Sequence, residues 1–341
     1  MANTEADAAA IGRAADLLRA GELVALPTET VYGLGADALN PRAVAKIFAA
    51  KGRPADHPLI VHLPDAEHLP RWARAIPKEA IALARAFWPG PLTLILEREE
   101  GVPDEVTGGQ DTVGLRVPNH PVALALLAAF GSGIAAPSAN RFGRISPTTA
   151  AHVREELGDK VALVLDGGAC EVGIESTILD LSRGTPEILR PGAISADAIA
   201  RVIGRRPAVK GEGGAVEADA DSASAPRVSG ALAAHYAPGT PLRLIPPELL
   251  VEEAATLAAE GSRVAVLARS VADPHDARLI WRAAAAEAGG YAHDLYASLR
   301  ELDASGADFI LVEALPATPE WQAIADRLGR AAAGSGEADE T

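Results

Sequence analysis

The chain has 341 residues, 48% of them hydrophobic and only 4% aromatic, which sets a prior of about two domains with aliphatic cores. Its formal charge of −15 argues against stable nucleic-acid binding, and its single cysteine excludes an intrachain disulfide or a Cys-rich zinc site. The N-terminus is acidic rather than basic, and the longest apolar run, residues 122–130, falls far short of the ~20 residues of a membrane span, so a soluble cytoplasmic protein is expected.

Residues 6–20 read as an amphipathic helix stopped by Gly21. A strand at 23–26 runs through Pro27 into the turn Thr28-Glu29-Thr30, and the glycines of Tyr32-Gly33-Leu34-Gly35 allow unusual backbone angles or the close approach of a ligand. Asn40-Pro41 is a helix start, and Val44, Ile47, Phe48 and Lys51 share one face of the helix that follows. Gly52 ends it and leaves Lys51 and Arg53 at what reads as a polar corner. Residues 59–63 form the next strand, 76–87 a helix, 92–96 a strand, 101–110 a polar loop, 112–118 a strand with one cation and 121–130 an apolar helix. Ser146-Pro147 reads as another N-cap with Pro at the first helical position, Cys170 as a small buried side chain, and Ser195 as the cap of a helix to about 203. Strands at 161–165, 176–181 and 187–189 complete a mixed α/β pattern without strict alternation.

After Gly204 the composition shifts to linker type as far as residue 238. Beyond it, strands at 242–245, 264–267 and 309–312 alternate with helices at 247–260, 289–302 and 320–328, and the last residues, 331–341, are small and acidic and read as disordered. The predicted fold class is thus α/β. A catalytic domain with a mixed twisted sheet spans 1–204, a linker 205–238, and a small Rossmann-like parallel domain 239–341, without the glycine fingerprint of a dinucleotide site.

No GK dipeptide, H-E-x-x-H or G-x-S-x-G occurs. What remains is a set of cations and hydroxyls beside turns: Lys51, Arg53, Arg116, Ser138, Asn140, Ser146, Ser176, Thr177 and Arg190. Such a set suits a polyphosphate or a carboxylate. Each residue also has a plainer reading. Lys51 can complement a helix C-terminus, His62 can be a satisfied core histidine, Ser138 and Asn140 can be turn caps, and the arginines can form surface ion pairs.

The segments PTETVYGLG (27–35), KGRP (51–54) with PLIVH (58–62), DTVGLRVP (111–118), APSAN (136–140), ESTI (175–178) and LRPG (189–192) occur in order, and HYAP (235–238) follows in the linker. In this the chain resembles the threonylcarbamoyl-AMP synthases, whose catalytic unit is the YrdC-like domain, in their long two-domain form. His57 stands where many members have Asn, and Val228 precedes Ser229-Gly230 where a proline before the glycine is usual.

The resemblance implies a nucleotidyltransferase that uses L-threonine, bicarbonate and ATP, with Mg²⁺ carried by ATP and no protein metal site. It also implies a partner complex that transfers the threonylcarbamoyl group to tRNA. Lys51, Arg53, Ser138 and Asn140 would be catalytic. Thr30, His62, Arg116, Ser176 and the Ala136 backbone would hold threonine, with Arg116 on its carboxylate. Lys51, Arg53, His57, Thr112, Ser138, Ser146, Arg190 and Tyr236 would hold ATP. Apart from the resemblance, the flexible composition of 205–238 suits a lid that closes over such a cleft to exclude water, the alternative being a passive tether. A non-catalytic RNA-binding module is disfavoured by the acidic balance, and the carbamoyl-transfer domain of hydrogenase maturation by the lack of Cys-rich segments.

Overall fold

The computed structural model describes residues 4–210 and 225–336. The middle of the linker and the last five residues, read as disordered, lie outside the described residues. The first unit comprises α1 (Thr4–Arg19), β1 (Val24–Leu26), β2 (Gly33–Asp37), α2 (Pro41–Lys51), β3 (Ile60–His62), α3 (Lys78–Phe87), β4 (Leu92–Glu97), α4 (Asp104–Thr107), β5 (Thr112–Arg116) and α5 (Pro121–Phe130). It continues with β6 (Ile134–Ala135), α6 (Ala150–Leu157), β7 (Leu163–Val164), β8 (Thr177–Asp180), β9 (Glu187–Arg190), α7 (Ala196–Ile203) and β10 (Ala208–Val209). Its ten strands form one sheet in the order β10-β9-β8-β4-β5-β3-β6-β2-β1-β7, with parallel and antiparallel pairs intermixed. The mixed sheet expected from the irregular alternation is therefore present.

The second unit holds β11 (Leu242–Ile245), α8 (Leu250–Ala259), β12 (Val264–Ala268), β13 (Leu279–Ala283), α9 (Ala288–Asp303), β14 (Phe309–Glu313) and α10 (Gln322–Gly334). Its sheet, β11-β14-β12-β13, is parallel throughout, as expected for a Rossmann-like domain. α10 runs to Gly334, so residues 331–334 are helical rather than disordered.

Local chemistry accounts for α2. The Asn40 side chain accepts from the Arg42 and Ala43 amides, Pro41 opens the helix, and Gly52 ends it in the left-handed region at φ 64°. The face of Val44, Ile47, Phe48 and Lys51 is buried throughout. The glycines of the YGLG segment act otherwise than expected, since they belong to the strand β2. A Cβ at Gly35 would come within 2.9 Å of both Leu26 and Ile134, so the residue is demanded by close strand neighbours. Ser146 does not cap a helix either: α6 starts at Ala150, and Thr149 is its cap, accepting from the His152 amide. Among the described residues no helix is long and apolar enough to cross a membrane.

The two units share apolar packing. Val31, Ile145 and Ile174 of the first are buried in one cluster with Leu242, Tyr291, Tyr296 and Leu299 of the second. Tyr236, at the end of the connecting segment, belongs to that cluster too. The described part of that segment is pinned at both ends. The Arg227 amide donates to Gln110 Oε1 at 2.7 Å, and the Ala237 amide donates to the Gly143 carbonyl at 2.8 Å.

Candidate active site

Strand pairing assembles the site. β3 and β5 run side by side with His62 opposite Arg116, while β8 and β9 bring Ser176 and Arg190 together. The turn before β2 contributes Thr28 and Thr30, and the segment after β6 contributes Ala136, Pro137 and Ser138. Arg53 enters from beyond Gly52, and the connecting segment closes the ring with Ser229, Gly230, His235 and Tyr236. Nine of the expected residues thus share one cavity: Thr30, Arg53, His62, Arg116, Ala136, Ser138, Ser176, Arg190 and Tyr236. The free volume of that cavity is about 50 Å³.

One half of the cavity is a hydroxyl and arginine cluster. Arg116 Nη2 lies 2.6 Å from Glu29 Oε1, Nη1 donates to Thr30 Oγ1 at 3.0 Å, and Nε donates to the Gly90 carbonyl at 3.2 Å. The Thr28 and Thr30 hydroxyls are 2.9 Å apart, and those of Thr93 and Ser176 are 2.8 Å apart. Burial, and then the Arg116 cation, push His62 down to about 3, so its imidazole is neutral at physiological pH, with Nδ1 buried and unpartnered.

The other half is cationic. Arg53 Nη2 donates to the Pro58 carbonyl at 2.9 Å and to Ser229 Oγ at 3.2 Å. Burial brings Arg53 down to about 10, which leaves it charged. Arg190 holds the Ser176 carbonyl at 2.9 Å through Nη2 and the Ser229 carbonyl at 2.9 Å through Nη1. Among the described residues neither Arg53 nor Arg190 has a carboxylate at ion-pair distance, so this half has cationic charge to offer an anion. His235, lowered to about 3 mainly by burial, is neutral.

Five expected residues do not line the cavity. Lys51 Nζ donates to the Ser138 and Asn140 carbonyls, both at 2.5 Å, so it clamps the loop that carries Ser138. Burial and the neighbouring Arg53 lower its pKa. Asn140 Nδ2 donates to the Arg141 carbonyl at 2.7 Å and the Arg144 carbonyl at 2.8 Å, shaping the same loop. Ser146 is fully buried and donates to Glu175 Oε1 at 2.6 Å. His57 packs edge-on against Phe142, and Phe142 lies 5.7 Å from the Arg53 guanidinium. Thr112 lines a neighbouring narrow cleft with Gln110 and Arg227; Ile60 and Ser229 border both spaces. The polar corner expected for Lys51 and Arg53 is instead interior, with 3% and 7% exposure.

Glu29 and Glu175 went unassigned in the sequence because a carboxylate is the wrong sign for the anions expected. Each is held by an arginine distant in the chain, Arg116 and Arg327 respectively. The adjacency of Glu29 to Thr30 and of Glu175 to Ser176 is the only local signal of them.

Residues 16–192 match the Sua5/YciO/YrdC family model, described as telomere recombination, and residues 194–333 match the one described as threonylcarbamoyl-AMP synthase, C-terminal domain. The chain is 42% identical to a threonylcarbamoyl-AMP synthase of Pyrococcus abyssi, over 93% of this chain and 92% of that one. A threonylcarbamoyl-AMP synthase of Bacillus subtilis is also 42% identical, over 95% and 93%. Among solved structures, that of P. abyssi Sua5 complexed with L-threonine matches with a TM-score of 0.86 at 40% identity, over 95% of this chain and 94% of that one.

Proposed function

The chain belongs to the threonylcarbamoyl-AMP synthase family in its two-domain form, and from this we propose that it makes threonylcarbamoyl-AMP and pyrophosphate from L-threonine, bicarbonate and ATP. The observation that carries the reading is the division of one cavity into a hydroxyl, neutral histidine and arginine half and a half with Arg53 and Arg190. An amino acid with a side-chain hydroxyl suits the first, and a polyphosphate suits the second.

Threonine and bicarbonate condense to a carbamate with loss of water. A carbamate oxygen then bonds to the α-phosphorus of ATP, and the bond to the pyrophosphate oxygen breaks. This makes the enzyme a nucleotidyltransferase and calls for no protein nucleophile. Arg116 takes the threonine carboxylate by trading part of its contact with Glu29, while Thr30, Ser176 and the neutral His62 supply hydrogen bonds. Arg53 and Arg190 balance the charge that develops on phosphate, and Lys51 with Asn140 holds Ser138 against the reacting groups.

Mg²⁺ carried by the nucleotide would supply further neutralisation. It suits a site without a protein cage: among the described residues no three His, Cys, Asp or Glu side chains gather, and Glu29 and Glu175 each face an arginine. The product serves a cytoplasmic complex that transfers the threonylcarbamoyl group to tRNA, and the acidic chain needs no stable tRNA contact of its own. Residues 225–236 border this narrow cavity, and in this reading they lift to admit ATP and close over it as a lid.

The test is incubation with ATP, threonine and labelled bicarbonate, with mass detection of the adenylate. Label in threonylcarbamoyl-AMP that depends on all three substrates is expected. ATP consumption without labelled product overturns the reading.

A further inference from the structure

Glu175 faces the same cavity as Arg53 and Arg190. A bare carboxylate there would repel a triphosphate, strongly so in a low-dielectric wall. Its charge is met from the other domain. Arg327 of α10 has no exposed surface; its Nε donates to Glu175 Oε2 at 2.8 Å, and its Nη2 donates to the Pro191 carbonyl at 2.9 Å. The Tyr296 hydroxyl of α9 donates to the same carboxylate oxygen at 2.8 Å. The same two residues carry Tyr236: the Arg327 guanidinium lies 5.4 Å from its ring centroid, and the Tyr296 ring stacks on it at 5.8 Å.

We infer that Arg327, with Tyr296, is a positioning residue of the active site: from the C-terminal domain it cancels the charge of Glu175 and seats the Tyr236 ring at the nucleotide half of the cavity. The inference rests on the reading that this half takes ATP. Four titratable groups face Glu175 (Arg327, Arg190, Tyr236 and Tyr296), and His235 stands nearby and neutral. Burial alone would raise the Glu175 carboxyl, but Arg327 and then Arg190 overcome it and hold the group at about 2. Without Arg327 the burial effect is left opposed by Arg190 and the hydroxyl donors Ser146 and Tyr296, with the strongest counter-charge gone, and the carboxyl titrates at higher pH.

The experiment compares the full-length parent with Arg327→Met, Glu175→Gln/Arg327→Met and Tyr296→Phe, measuring ATP and threonine binding by calorimetry from pH 6 to 8.5, with product formation alongside. Arg327→Met should lose about tenfold or more in ATP affinity at pH 8 and recover part of it at pH 6, as Glu175 takes a proton, with threonine affinity within about twofold of the parent. Glu175→Gln/Arg327→Met should return to within about fivefold of the parent and lose the pH trend, which a merely structural role for Arg327 does not predict. Tyr296→Phe should weaken ATP alone, by a few-fold.

Parental ATP affinity in a folded Arg327→Met, or a double variant no better than the single one, overturns the inference. If Arg327→Met does not fold, Tyr296→Phe decides, and parental ATP affinity there overturns it. A parent that binds ATP but makes no threonylcarbamoyl-AMP sinks the functional reading and leaves calorimetry to judge this one. A parent that makes product beside an unimpaired Arg327→Met sinks this inference alone, and a parent that binds no ATP sinks both.

Discussion

At the scale of residues, one left-handed glycine sends two cations to different tasks. Lys51 turns back onto the loop carbonyls of Ser138 and Asn140, whereas Arg53 turns into the cavity. Arg53→Ala should therefore cut synthesis on the order of 10²-fold with little change in melting temperature, as for a lost preorganised cation. Lys51→Ala should cut it as far but also melt lower, since it removes the donor that ties the Ser138 and Asn140 carbonyls together. Steady-state product formation and thermal melts separate the two, and near-parental rates in both variants would refute the assignment. A site that reads the threonine hydroxyl through Thr30, His62 or Ser176 should reject serine only by the worth of a methyl, roughly 10–200-fold, and valine far more strongly. Competition assays rank the three, and valine used as readily as serine would remove hydroxyl recognition from this cavity. His62 and His235, both lowered to about 3 in the folded chain, take protons first in the unfolded chain, whose histidines titrate near 6.5. Stability is thus intact above pH 6.5 and falls as pH drops from there toward 3, by about 2 kcal/mol per histidine at pH 5. Melts from pH 4.5 to 7.5 should show the slope, and His62→Gln should reduce it while leaving the share of His235; an unchanged slope would mean that His62 accepts a proton in the folded state. The KGRP corner at 51–54 and the APSAN turn at 136–140 were legible because helix end and turn chemistry are local. The interior position of Lys51 was not, because it is set by a loop some ninety residues on.

At the scale of elements, the segment from residue 225 to 238 is strapped across the cavity. Gly230 is its tight point, at φ 75° and so close to Tyr236 Oη and Arg190 that a Cβ would run into the hydroxyl. Gly230→Ala should displace Tyr236 and weaken ATP binding while leaving threonine affinity near the parent's; titrations with each ligand check this, and equal losses for both would tell against a lid confined to the nucleotide half. Long elements with capped ends, such as α2 and α5, were readable from their own residues. Short ones were not. β2 is built on glycines that strand propensity disfavours, and it exists because strands on either side leave room for nothing larger. Ser146-Pro147 has the signature of a helix start, yet Ser146 is bonded to Glu175, twenty-nine residues away, and the cap falls to Thr149. β13, a half-buried edge strand in the C-terminal sheet, likewise gives no clear alternation to read.

At the scale of the whole molecule, the boundary near Gly204 is a change in composition but not a break in packing. A chain ending there would bare Val31, Ile145 and Ile174, which are buried against Tyr291, Tyr296 and Leu299. It should melt measurably lower than the full chain and bind a hydrophobic dye. Unchanged melting, with no dye binding, would show the two units to be stable separately and the shared cluster to be incidental. The family motifs made both halves recognisable in the sequence, but nothing in them told that the second half reaches the first at Glu175, because that contact joins residues 152 positions apart. This distance sets a schedule during synthesis. At roughly 5–20 residues per second, about eight to thirty seconds separate the emergence of Glu175 from that of Arg327. For most of that interval, once Val209 has emerged, the growing chain holds every strand of the mixed sheet yet carries a carboxylate without its Arg327 counter-ion, so the site's charge balance is among the last parts of the molecule to be completed.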